Sequence, residues 1–165
     1  MAVDFRPAES EFVSQAFDEA QDFKANELGT VARFRDVGDT DYGSANFKYV
    51  QYLAESAGAS FAAAGHMTYY DADTGGTNNQ VTTDVSASSE IGAGLLHSAP
   101  TNEQYVWVQQ TGVATALVIT AGADKQGLTG TGAADGGFDQ PTALTDSLCA
   151  ACVDYSEKLI QLQCF

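Results

Sequence analysis

The sequence predicts an all-β chain: a single antiparallel β-sandwich or β-barrel domain over residues 27–165, preceded by an N-terminal arm or short helix over residues 1–26. Three observations predict it. Short runs of alternating apolar and polar residues recur along the chain, the clearest being Tyr105-Val106-Trp107-Val108-Gln109-Gln110. Glycine is common at 16 residues and proline scarce at 3, so tight glycine turns separate the runs. Helical apolar spacing is confined to the first 26 residues. A chain of 165 residues with 44% hydrophobic content can bury a core without disulfides or metal, and wholesale disorder is excluded.

Residues 1–26 hold no glycine and carry Phe5, Phe12, Phe17 and Phe23. Phe12, Ala16, Ala20 and Phe23 recur at helical spacing, Pro7 suits a first turn, and Glu9 and Glu11 favour the positive dipole end. Val13 and Phe17 widen the apolar stripe on both sides, which equally fits an extended arm. In either form the four phenylalanines are the expected partner-binding residues, because a strand domain that begins near Leu28 would close its own core without them.

The domain opens at Leu28-Gly29-Thr30, and Val31 to Arg35 alternates as a half-exposed strand does. Asp36 to Ser44 is dense in Asp and Gly and must turn. Phe47 to Tyr52, Thr68 to Tyr70, Val81 to Val85, Ile91 to His97 and Tyr105 to Gln110 read as strands. Ala114 to Thr120 follows the turn at Thr111-Gly112 and is expected to form a hairpin with the strand before it. Gly122 to Gly137 reads as a glycine-rich loop, and Leu148 to Val153 with Lys158 to Phe165 as one last strand or hairpin. Trp107 shares a strand face with Tyr105 and Gln109, which makes it an expected core anchor.

Charge narrows the functional classes. Seven Lys and Arg against 22 Asp and Glu give a net charge of −15. A phosphate backbone or an anionic bilayer would be repelled, so neither nucleic acid nor membrane is an expected partner. No apolar run approaches the length that spans a bilayer, and the N-terminus lacks the basic start and apolar stretch of a secretory leader. Synthesis in a reducing cytoplasm follows, with Cys149, Cys152 and Cys164 expected as reduced core residues. Cys149 and Cys152 form C-x-x-C, but zinc needs further ligands, and neither His66 nor His97 has ligand spacing to the pair.

Nothing in the sequence assembles chemistry. G-x-S-x-G, the phosphate loop and the dinucleotide fingerprint are absent. Paired carboxylates carry no information in so acidic a chain. Asp71-Ala72-Asp73-Thr74-Gly75-Gly76-Thr77 begins like a calcium loop but has Thr82 where a bidentate Glu belongs, and Asp36, Asp39 and Asp41 form a second acidic turn. Ordinary turn chemistry accounts for both. No catalytic, cofactor or metal residue is therefore predicted.

The order of segments resembles the small β-domain type of tailed-phage capsid decoration (cement) proteins. The resemblance rests on an N-terminal arm, Leu28-Gly29-Thr30, Tyr49-Val50-Gln51-Tyr52, Ile91-Gly92-Ala93-Gly94, the strand Tyr105, Trp107, Val108, Gln109 leading into Gly112, then Val118 with Gly122 and a closing strand Leu159 to Phe165. The chain departs from that pattern at Gly122-Ala123-Asp124, where the family has Gly-Asp, and in its cysteine-rich closing segment. The resemblance implies a non-enzymatic virion protein on the capsid exterior, binding the major capsid protein as a homo-oligomer, a trimer being the family's habit. A tail-tip or fibre module that binds a host surface glycan is the alternative, and it would require exposed aromatic side chains.

Overall fold

The structure is a computed structural model and describes residues 5–7, 15–36, 42–54, 62–73 and 78–164. It is all-β. In chain order the strands are β1 (Phe5–Pro7), β2 (Ala20–Gln21), β3 (Val31–Asp36), β4 (Ser44–Tyr52), β5 (Met67–Asp71), β6 (Gln80–Thr82), β7 (Ser88–Leu96), β8 (Tyr105–Gln109), β9 (Thr111–Thr115), β10 (Val118–Ile119), β11 (Gly127–Thr129), β12 (Gly137–Phe138), β13 (Leu148–Asp154) and β14 (Leu159–Gln163).

The first eight strands form one sheet in the order β1-β3-β4-β6-β5-β7-β8-β2, and β4 also pairs with β8. That extra pairing closes a ring through β4, β8, β7, β5 and β6. Its seams run from Phe47 opposite Gln109 to Gln51 opposite Tyr105, and, in parallel, from Gln51 opposite Gln80 to Tyr52 opposite Val81. The strand period of two turns alternate residues into the ring. Val50, Tyr52, Tyr70, Val81, Leu96, Val106 and Val108 fill it as one cluster. The opposite face of β4 and β8 packs Phe47, Tyr49 and Trp107 against Phe34 and Phe17.

A second sheet, β11-β13-β14-β9, lies against the β5–β7 side of the first in a sandwich-like arrangement. Between them Met67, Tyr69 and Leu95 meet Ala114, Leu128, Ala150, Cys152, Ile160 and Leu162. A short parallel pair, β10 with β12, adds the buried ring of Phe138.

Several sequence expectations need correction. The segment Gln15 to Asn26 is not helical; within it only Ala20–Gln21 is regular, as a strand beside Val106 and Tyr105. β8 and β9 do not form a hairpin. β9 pairs with β14, from Thr111 opposite Gln163 to Thr115 opposite Leu159. The chain changes sheets there because Gly112 takes φ +95°, a left-handed conformation open to glycine, and a Cβ at that position would lie 3.1 Å from the Ala45 Cβ. The loop Gly122 to Gly137 contains β11 and leads into β12. Val81 to Val85 is a strand only to Thr82, and a 3₁₀ turn over Val85–Ala87 follows, capped by the Asp84 carboxylate accepting from the Ser86 N–H.

Candidate functional site

The predicted partner-binding phenylalanines do not share one surface. Phe5 lies in β1, opposite Asp36, and Phe12 falls outside the described residues. Phe17 is only 6% exposed. Its ring meets Phe34, Phe47 and His97 edge-on, with centroids 6.3, 5.7 and 5.2 Å away. The expectation that all four await a partner is therefore corrected for Phe17: the aromatic face of β3 and β4 would otherwise be open to water, and Phe17 closes it. Phe23 is 65% exposed and remains available.

Gln15 holds this segment in place. Its Nε2 donates to the carbonyls of Glu19 and Tyr105 at 2.7 and 3.0 Å, and its Oε1 accepts from the Tyr49 hydroxyl at 2.8 Å. The Ala25 N–H donates back to the same hydroxyl at 3.1 Å. Burial pushes the Tyr49 phenol up, against the effect of the backbone donors at Ala25 and Asn26. A glutamine two residues before a buried aromatic carries no sequence signal for such a clamp, which explains why it is invisible until the partner strands are placed.

Beside Phe17 lies a cleft of about 260 Å³ between the sheets, lined by Tyr42, Gly65, Leu95, His97 and the run Val113 to Leu117. His97 Nε2 lies 2.7 Å from Gln109 Oε1. The Gln109 amide nitrogen is committed to the carbonyls of Thr111 and Val113, both at 3.0 Å, so its oxygen faces His97 and the imidazole donates. Burial pushes the His97 pKa down, opposed by this bond and by Asp18. The lining offers one imidazole and hydroxyls but no carboxylate, so the cleft lining holds no carboxylate dyad.

His97 and the buried tyrosines set the expected pH limits of the fold. The folded state holds His97 neutral, whereas the unfolded chain takes up a proton near the ordinary value of 6.5. Its contribution is therefore whole above that value and is lost as pH falls below it. The limiting slope is about 1.4 kcal/mol per pH unit. Burial pushes the phenols of Tyr52 and Tyr69 up from the ordinary value of 10.0, so stability should also decline as pH rises past about 10, when the unfolded chain ionises first. Urea midpoints measured from pH 5 to 11 should trace a dome with these two shoulders, and a flat acid limb in a His97→Gln variant would assign the first.

All three cysteines are buried free thiols. Cys149 Sγ lies 3.7 Å from the Leu128 carbonyl and Cys164 Sγ 3.5 Å from the Cys149 carbonyl. The register shift between Leu128 and Thr129 makes Cys149 the extra residue of β13 and turns it inward beside Cys164. Burial pushes the Cys152 thiol up, and Cys164 is pushed up by its bond to Cys149 and by burial, which keeps both in the unreactive protonated form. A Cys149→Ser/Cys152→Ser variant should fold and lose about 1–3 kcal/mol in urea unfolding. Stoichiometric zinc in the native protein by elemental analysis would contradict the packing role.

Of the two acidic turns, Asp39, Asp41 and residues 74–77 fall outside the described residues. Asp36 Oδ2 accepts from the Tyr42 N–H at 2.9 Å, as a turn carboxylate does, and Thr82 is a buried strand residue. Among the described residues no three His, Cys, Asp or Glu side chains gather as a metal site, and no helix is long and apolar enough to cross a membrane.

No family model, no curated protein and no solved structure matches the chain.

Proposed function

We propose that this chain is a non-enzymatic virion protein that decorates and stabilises the outer surface of a phage capsid by binding the major capsid protein. The observation that carries the reading is the placement of the N-terminal segment. It lays β1 along one edge of the large sheet and β2 along the other, and it presents Phe23 to solvent two residues after β2. A short edge strand offers backbone groups for strand addition, and an exposed phenylalanine beside it offers an anchor. The order of segments, which resembles that of capsid decoration proteins, supplies the partner class.

The glycan-binding alternative needs a platform of exposed rings. Trp107 is 0% exposed, and among the described residues only Phe23 and Tyr155 are exposed aromatics, which favours the capsid reading.

The test is co-sedimentation with capsid shells that lack their decoration. The purified chain should pellet with them at a saturating, fixed ratio. Phe23→Ser should leave the melting temperature unchanged and weaken binding by about 10-fold or more, the effect of leaving one buried phenylalanine's worth of apolar surface in water. A chain that stays in the supernatant at micromolar concentration, or a Phe23→Ser variant that binds as tightly, would refute the assignment.

A further inference from the structure

The four-stranded sheet has an outer face that carries almost no charge. Its inner residues, Ala114, Leu128, Ala150, Ile160 and Leu162, belong to the core. The alternation therefore turns the row Gly127, Ala151, Gln161 and Val113 outward, in register across all four strands. Gln163 with Thr111 lies on one side of that row, and Leu159 with Thr115 on the other. In a chain with 22 acidic and 7 basic residues, these four strands contain a single charged side chain, Asp154, at the very end of β13.

Exposed apolar surface gathers at the same place. Leu148 is 50% and Val153 48% exposed, both on β13, with Tyr155 just after the strand and Leu144 just before it. The rim at the end of the sheet where β13 turns into β14 is mixed in sign. Asp124 and Lys125 adjoin one another, Asp154 ends β13, and Glu157 and Lys158 follow it, with Asp124 Oδ1 accepting from the Tyr155 N–H at 2.8 Å.

We infer that this outer face is where two copies of the chain meet, face to face across a two-fold axis. The charge distribution selects the occupant. Two molecules that each carry −15 repel wherever their ordinary surfaces approach, and this face replaces that repulsion with a neutral centre and a rim of both signs. A strongly charged partner would gain nothing from a neutral centre. A second copy would, because Gln161, Gln163 and Thr115 each bear a donor and an acceptor and so complement themselves. Leu148 and Val153 supply the apolar area, and Lys125 of one copy can approach the acidic rim residues of the other. A neutral apolar centre within a polar rim is the usual anatomy of a protein interface. A two-fold pair takes the place of the trimer that the family resemblance suggests.

The test uses the purified full chain alone, so it does not depend on the capsid reading. Sedimentation equilibrium at about 10–100 µM should give twice the monomer mass of 17.3 kDa. Gln161→Glu and Gln161→Lys should each keep the wild-type melting behaviour, since the side chain points outward, and each should weaken self-association by at least about tenfold. An equimolar mixture of the two should restore the dimer, because opposite charges then face each other near the axis. A wild-type chain that is monomeric or trimeric over this range, variants that keep the dimer mass, or a mixture that fails to reassociate would each overturn the two-fold contact while leaving the capsid proposal standing.

Discussion

A chain beginning at Glu27 should be less stable than the full chain by at least about 4 kcal/mol, even though the sequence places the domain boundary there. The truncation removes Phe17 from beneath Phe34, Phe47 and His97, and emptying a buried phenylalanine site costs about 3–5 kcal/mol. It also removes Gln15, Ala25 and Asn26, the partners of the buried Tyr49 hydroxyl, and an orphaned buried hydroxyl costs about 1–3 kcal/mol. The strand pairing of Phe5–Pro7 with β3 goes as well. Thermal and urea unfolding of the two chains would show the difference directly. Equal midpoints would mean that the whole segment is a detachable arm, and would return Phe17 to the partner-binding set.

Trp107→Ala should cost about 3–5 kcal/mol, the range for removing a fully buried large aromatic. The indole packs between Phe34, with centroids 5.5 Å apart, and Tyr49, at 5.1 Å, and so joins β3, β4 and β8 in one aromatic layer. Trp107→Phe should cost much less, about 1–2 kcal/mol. Its smaller ring leaves a void, but the Trp107 Nε1 has no hydrogen-bond partner among the described residues, and removing a buried unsatisfied donor offsets part of that loss. Denaturant unfolding of both variants checks the order. A Trp107→Phe protein as weak as Trp107→Ala would show that the N–H is satisfied by water. A folded, fully stable Trp107→Ala that has lost glycan binding would revive the fibre-module alternative.

The sequence makes the strands legible where alternation is strong and local. β4 and β8 stand out because Phe47, Tyr49, Val50, Tyr105, Val106 and Trp107 have the residue types that suit a pleated, half-buried surface, and the faces assigned to Trp107 and Val108 are those observed. β13 and β14 are legible as a hairpin for the same reason. Pairing is not legible. Nothing in Thr111 to Thr115 says that its partner is Leu159 to Gln163 and not the strand just before it, because both registers bury Ala114 and the choice is made by how the sheets stack. β11 is hidden because Gly127, Leu128 and Thr129 offer one apolar residue among turn formers, and only its place beside Ala150 and Ala151 makes it a strand. The helical spacing of Phe12, Ala16, Ala20 and Phe23 misleads for a related reason: the open aromatic face of the sheet rewards Phe17, which lies off that stripe, more than a helix would reward the stripe. Of the proposed contact surfaces, the sequence marks only Phe23, as one of four phenylalanines, and its exposure appears only once the strands are placed. The neutral sheet face needs register before its residues can be seen to lie side by side.

The closed ring has a consequence for how the molecule comes into being. Phe47 must wait for Gln109 and Tyr52 for Val81, so the ring cannot shut during synthesis until β8 has left the ribosome. Pairing of segments so distant in the chain is slow, on the order of milliseconds to seconds. Throughout that delay β4, paired with β3 along Ser44–Lys48, leaves the edge that awaits β8 open beside Phe47, Tyr49 and Gln51, a template for joining another nascent chain. The net charge of −15 keeps such chains apart while they wait, and salt that screens it acts on the unfinished molecule before it touches the finished one.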